Sequence, residues 1–162
     1  NRSILVWFKE FIQNDSYASI SILNKEISFF IPNELTTYRV NTFFTKEPET
    51  LEWIDNFKNE SIFWDIGANV GIYSCYAGKK EKIKVYAFEP SVFNLECLVK
   101  NININNLNEV ITIFPLPLTD YTKETDFNLS STDSGSAMAS FGVRYKSDGS
   151  DLNKIFNSLI KI

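Results

Sequence analysis

The chain of 162 residues contains no histidine and only two cysteines. The absence of histidine removes the usual metal ligand and the commonest general base. Cys75 and Cys97 form neither a disulfide framework nor a metal-ligand spacing, which points to a reducing, cytoplasmic compartment. An excess of basic residues is missing too: 16 Lys and Arg stand against 20 Asp and Glu, for a net charge of −4. Non-specific binding to a phosphate backbone needs clustered Lys and Arg, so nucleic acid is not an expected partner. No run is apolar enough for a membrane span. Asn1–Phe11 mixes Ile4, Leu5, Phe8 and Phe11 with charges and reads as a short amphipathic helix, too polar for a signal peptide. An initiator methionine is also lacking, so the sequence is expected to begin inside a longer protein.

What is present is the composition of one soluble globular domain, 44% hydrophobic and 22% charged, long enough for a substantial core. Its centre is Phe63–Ser74. The apolar run Ser61–Ile66 has strand character, ends in a small-residue turn, and resumes as a helix over Val70–Ala77. Asp65 sits where the strand gives out, with Gly67 and Gly71 on either side of Asn69. A glycine-rich link from strand to helix is where an α/β sheet opens a crevice for a ligand, and Gly67 lets the backbone approach it. The glycines run G-x-x-x-G, not the G-x-G-x-x-G of dinucleotide sites, and no Gly-Lys-Ser/Thr completes a P-loop. A strand–turn–helix whose glycines serve packing is the simpler alternative.

The string Asp65-Ile66-Gly67-Ala68-Asn69-Val70-Gly71 resembles the first motif of the S-adenosylmethionine-dependent class I methyltransferases. Extended from Trp64 to Ser74, it is most similar to the FkbM-type family. Val85–Phe88 is the next buried strand, and the resemblance continues through Val85-Tyr86-Ala87-Phe88-Glu89-Pro90-Ser91. Glu89 stands at a strand end twenty-four residues beyond Asp65. An acid about 20 residues past a glycine turn accepts hydrogen bonds from ribose hydroxyls; a cap on the following helix is the other role for Glu89, although Ser91 is itself a good N-cap. Val92–Asn103 follows as a helix with Val92, Leu95, Val99 and Ile102 on one face, and Asn103–Asn108 is a polar break.

The flanks are less specific. Ser19–Ile22 and Ile27–Phe30 alternate as strands of a hairpin around Asn24-Lys25-Glu26. Leu51, Trp53, Ile54 and Phe57 share a helical face, with Pro48 in its first turn. Glu47 is either a helix-start residue or one facing cofactor or acceptor, since the resemblance places its Glu-Pro-Glu-Thr segment over the cofactor side. After the third strand, Val110–Phe114, the resemblance sets Thr119 and Asp120 at the adenine edge; a turn role for Asp120 is the alternative. Asp126–Ser130 reads as an edge strand, Ser130–Ser140 as a surface loop able to cover a ligand, Asp151–Leu159 as a helix, and Leu159–Ile162 as the start of a central strand.

The expected fold is therefore α/β: a Rossmann-like class I methyltransferase sheet with helices on both faces, incomplete at the C-terminus. Residues 1–60 supply a helix, a hairpin and a cofactor-side helix, and residues 61–162 the S-adenosylmethionine-binding domain. The resemblance implies methyl transfer, in many relatives to a hydroxyl of a sugar or natural product. The cofactor-binding candidates are Glu47, Asp65, Gly67, Ala68, Asn69, Gly71, Glu89, Pro90, Thr119 and Asp120; no general base and no metal ligand is assigned. The stretch alone is expected to transfer no methyl group. A non-catalytic scaffold with a vestigial nucleotide pocket is the alternative. DNA-base methylation would want an Asn/Asp-Pro-Pro-aromatic string or a Pro-Cys nucleophile, and neither occurs.

Overall fold

The computed structural model describes residues 3–8, 16–22, 25–120, 124–143, 149–150 and 156–161. Its centre is a parallel sheet of β3 (Ile62–Ile66), β4 (Lys84–Phe88) and β5 (Ile111–Phe114), with β4 in the middle. Helices α4 (Ile72–Gly78) and α5 (Val92–Ile104) make the crossovers. The register aligns Phe63 with Val85 and Ile111, and Asp65 with Ala87 and Ile113. Because side chains alternate across a strand, this row forms one face. It is buried beneath Cys75 and Ala77 of α4 and Leu98 and Ile102 of α5. Each large apolar side chain so buried contributes about 1.5–3 kcal/mol. The α/β class with a parallel sheet is thus the one expected.

The other face carries Trp64, Tyr86, Phe88 and Phe114, with Phe88 and Phe114 stacked at 4.8 Å. Ile62, Trp64 and Ile66 are 57%, 54% and 63% exposed there. Among the described residues, helices therefore occupy one face of this sheet.

Ahead of it lies the antiparallel hairpin of β1 (Tyr17–Ile22) and β2 (Lys25–Phe30). Lys25 and Glu26, expected in the turn Asn24-Lys25-Glu26, pair instead with Ile22 and Ser21 as strand residues; Asn24 lies outside the described residues. The outer edge of β2 is closed by two asparagines of the α5 end. Asn101 Oδ1 accepts from the Phe30 N–H at 2.7 Å, and its amide donates to the Val70 carbonyl at 2.8 Å. Asn105 exchanges two bonds with the backbone of Ser28, at 3.1 and 2.7 Å. Backbone groups left unpaired at a buried edge would be destabilising, and these amides satisfy them.

These bonds also correct the helix face read from the sequence. Val92 and Val99 point outward, 62% and 52% exposed, while Asn94, Cys97, Leu98, Asn101 and Ile102 point inward. A polar side chain is acceptable inside once its hydrogen bonds are made.

Residues 3–8 are helical (α1) with exposed apolar side chains; the rest of the expected N-terminal helix lies outside the described residues. Helix α2 (Glu34–Asn41) was not anticipated. Asn33 starts it with a reciprocal capping box, its side chain accepting from the Thr36 N–H while Thr36 Oγ1 accepts from the Asn33 N–H. Helix α3 (Pro48–Asp55) follows, with Pro48 in its first turn, and Trp53 sets its ring edge-on to Phe63 of β3.

The C-terminal strands form a separate antiparallel sheet in the order β7 (Ser140–Phe141), β6 (Glu124–Leu129), β8 (Phe156–Lys161). Two expectations are corrected here. The strand over Asp126–Ser130 is not an edge but lies between two neighbours, and Leu159–Lys161 pairs antiparallel with β6 instead of joining the parallel sheet. Antiparallel pairing needs no covering crossover, which a further parallel strand would. The helix expected over Asp151–Leu159 is already strand from Phe156, and residues 151–155 lie outside the described residues. Among the described residues, no helix is long and apolar enough to cross a membrane.

Candidate functional site

Strands β3 and β4 end side by side, Ile66 opposite Phe88, so the glycine turn and Glu89 meet at the same sheet end. The Gly67 and Ala68 N–H groups both donate to the Phe88 carbonyl, at 2.9 and 3.0 Å, folding the turn back over β4. Asn69 takes a positive φ of 54°, which presents its N–H to Glu89 Oε2 at 2.8 Å. Glu89 Oε1 accepts from the Ser91 N–H at 2.8 Å and lies 3.4 Å from the Asn94 amide. The carboxylate is thus held by the turn on one side and the start of α5 on the other. Ser91 occupies the N-cap position without a side-chain bond, and Glu89 takes its N–H instead. Burial raises the Glu89 pKa; the bonds from Ser91, Asn69 and Asn94 oppose the shift by favouring the charged form.

The two glycines of the turn differ in their surroundings. Gly67 has nothing within 4 Å of where a Cβ would stand, so its surface is open to a ligand. Gly71, at φ +82°, would place a Cβ 2.3 Å from Leu98 Cδ1. Its bareness lets α5 pack against the start of α4.

Two chambers meet at this turn, sharing Ile66, Gly67, Asn69 and Ala137. One, of about 310 Å³, is lined by Glu89, Pro90, Asn94 and Leu116–Leu118. The other, of about 480 Å³, is lined by Arg39, Lys46, Glu47, Asp65 and Tyr73. Asp65 accepts a 2.5 Å bond from Ser74 Oγ, and burial raises its pKa against that bond. Tyr73 is pushed up to about 12, first by burial and then by the charge of Glu47. Tyr73 is therefore neutral there. Burial lowers the Arg39 pKa, with Glu47 and Glu89 acting in the opposite sense.

Of the ten residues singled out in the sequence, Glu47, Asp65, Gly67, Ala68, Asn69, Glu89 and Pro90 line one or both chambers. Gly71 lies beneath the turn, and Thr119 and Asp120 line neither chamber, although their neighbours Leu116, Pro117 and Leu118 do. Arg39, Tyr73 and Asn94 were not foreseen. Arg39 belongs to the unanticipated helix, and Asn94 is not among the residues of the face read for α5, Val92, Leu95, Val99 and Ile102. The one available signal was Asn94 and Asn101 seven residues apart, two turns on one stripe.

No family model matches the chain. A curated relative, a tRNA (guanine(37)-N(1))-methyltransferase of Dictyostelium discoideum, is 32% identical over 75 residues. The match covers 46% of this chain and 16% of the relative, so the chain spans a small part of that protein's length. Among solved structures, Pyrococcus horikoshii TYW2 in complex with MeSAdo aligns at a TM-score of 0.47 and 16% identity, over 68% of this chain and 39% of that one. A SAM-dependent methyltransferase from Agrobacterium tumefaciens aligns at 0.45 and 15% identity, over 62% and 32%. Both structural likenesses are distant. The relative from Dictyostelium corrects one expectation: the exclusion of nucleic acid as a partner does not stand. Net charge is a sum over the chain, whereas phosphate and base contacts depend on local groups.

Proposed function

We propose that this crevice binds S-adenosylmethionine and that the protein transfers its methyl group to an acceptor. The observation that carries the reading is the Glu89 carboxylate, buried at the end of β4 and braced by the Asn69 N–H of the glycine turn. An acid so placed takes the ribose diol. The smaller chamber, with Leu116–Leu118 along its wall, suits the adenine ring. The larger chamber, with Glu47 and Asp65, suits the ammonium of the amino-acid arm. The similarity to a methyltransferase over 75 residues supports the same reading.

When bound, S-adenosylmethionine supplies a methyl carbon already made electrophilic by its sulfonium. The residues of this chain then have to hold donor and acceptor in line and keep bulk water away. A neutral hydroxyl acceptor also needs its proton taken, and among the residues of this chain a carboxylate is the group suited to that step.

Two acceptor readings remain. The FkbM-type resemblance favours a hydroxyl of a sugar or small natural product. The Dictyostelium relative favours a tRNA base. Titration calorimetry on the full-length protein, comparing S-adenosylhomocysteine with NAD and ATP, tests the cofactor; tighter binding of NAD or ATP overturns it. A labelled methyl-transfer assay offering transcribed tRNA beside a panel of hydroxylated small molecules separates the acceptors.

A further inference from the structure

The segment Ser134–Ala137 belongs to the surface loop expected to be able to cover a ligand, and four side chains from three different elements are committed to its backbone. Asn33, the cap of α2, donates to the Ser134 carbonyl at 3.0 Å. Arg39 sends both Nε and Nη2 to the Gly135 carbonyl, at 2.8 and 2.6 Å. Asn94 of α5 accepts from the Gly135 N–H at 2.8 Å and donates to the Ser136 carbonyl at 3.1 Å. Asn69 of the glycine turn donates to the same Ser136 carbonyl at 2.7 Å. A solvated turn needs none of these.

The segment also sits where the two chambers meet, for Ala137 lines both and Ser136 lines the smaller. Two of its anchors, Asn69 and Asn94, are anchors of Glu89 as well. Asn69 holds Ser136 through its side chain and Glu89 through its N–H, and the Asn94 amide lies between Glu89 and Ser136. The seat is tight. Gly135 has φ +86°, and a Cβ there would stand 3.1 Å from Thr36 Cγ2 and 3.4 Å from Arg39 Nε.

We propose that Ser134–Ala137 is a strap forming the wall between the two chambers, and that Arg39 and Asn94 are positioning residues that set it. The proposal rests on the reading of the crevice as an S-adenosylmethionine site. It assigns Arg39 a task other than pairing with a ligand carboxylate: its guanidinium holds the wall against which both halves of the ligand lie. Moving the strap then disturbs nucleoside and amino-acid arm together.

The test is calorimetric titration of the full-length protein and its Arg39→Gln and Gly135→Ala variants with two ligands. S-adenosylhomocysteine has both nucleoside and amino-acid arm, and 5′-methylthioadenosine lacks the arm. Each substitution is expected to weaken both ligands by about tenfold, equivalent to about 1.4 kcal/mol. Gly135→Ala moves the strap while leaving the Arg39 charge in place, so the proposal stands or falls on either variant that folds. Loss confined to S-adenosylhomocysteine in Arg39→Gln, with Gly135→Ala unaffected, makes Arg39 a direct carboxylate partner and overturns the strap. A lowered unliganded thermal midpoint with both affinities intact reduces the contacts to packing and overturns it too. If the unsubstituted protein binds neither ligand, the crevice reading itself fails and takes the strap's role with it.

Discussion

Replacing Glu89 by glutamine probes the site most directly, and its effects on stability and on binding differ in size. In the unliganded protein the two carboxylate oxygens accept from different backbone donors, Asn69 N–H on Oε2 and Ser91 N–H on Oε1, both at 2.8 Å. Glutamine keeps the shape but turns one oxygen into a donor. Either orientation of the amide sets that NH2 against one of the two N–H groups. A buried donor deprived of its acceptor costs about 1–3 kcal/mol. Part of this is offset because a desolvated charge disappears, and burial already disfavours the charged form of Glu89. The net loss in unliganded stability is about 0–2 kcal/mol, a fall of at most about 8 °C in thermal midpoint for a domain of this size. Binding suffers more. Two ribose hydroxyls donating to a carboxylate contribute about 1.5–3 kcal/mol each, so Kd for S-adenosylhomocysteine should rise at least about tenfold. Titration calorimetry, paired with scanning calorimetry without ligand, measures the two effects separately. An unchanged Kd beside a lowered midpoint would refute the ribose role and leave Glu89 as a brace between turn and helix.

Gly71→Ala should cost about 2–4 kcal/mol, from an L residue held at φ +82° and a Cβ driven into Leu98. In a Leu98→Ala background the steric part should vanish; equal losses by urea unfolding in both backgrounds would contradict the contact. Asn101→Ala leaves the Phe30 N–H and the Val70 carbonyl without their partner, and about 2–4 kcal/mol of unfolding free energy should go with it; a loss below about 1 kcal/mol would show that the edge of β2 is satisfied otherwise. Acidification should move stability and binding in opposite directions. Asp65 and Glu89 both have pKa values raised by burial, so their protonated forms favour the fold. Their stabilising contribution is present below the ordinary values of 3.8 and 4.5 and is lost as pH rises through the folded values. Ribose binding needs charged Glu89, so affinity should begin to fall at a pH above 4.5, ahead of an ordinary carboxylate; a midpoint at or below 4.5 would argue against the buried acid as the ribose partner.

The local order of the chain was legible wherever sequence-near residues decide it. Strands β3, β4 and β5 and helices α4 and α5 fall within one or two residues of their expected bounds, because apolar runs and glycine punctuation mark them. Asp65, the glycine turn and Glu89 could be brought together in advance, since parallel neighbours joined by one crossover end at the same sheet edge. The inward face of α5 could not. A count of apolar positions puts Val92 and Val99 inside, and only the backbone edge of β2 explains why Asn101 and Asn105 displace them. The C-terminal sheet was misread for a related reason: an apolar strand does not announce its partner, and β8 found β6.

By itself, then, the sequence determined the α/β class and the glycine turn beside a strand-end acid, both properties of composition or short spacing. The tertiary structure alone decided that Arg39, 96 residues from Gly135, reaches that carbonyl with two nitrogens, and that Asn33, Asn69 and Asn94 join it on the same segment. Contacts so far apart in the chain leave no periodicity, because each amide or guanidinium is placed by its own helix or turn and meets the others only when the elements pack.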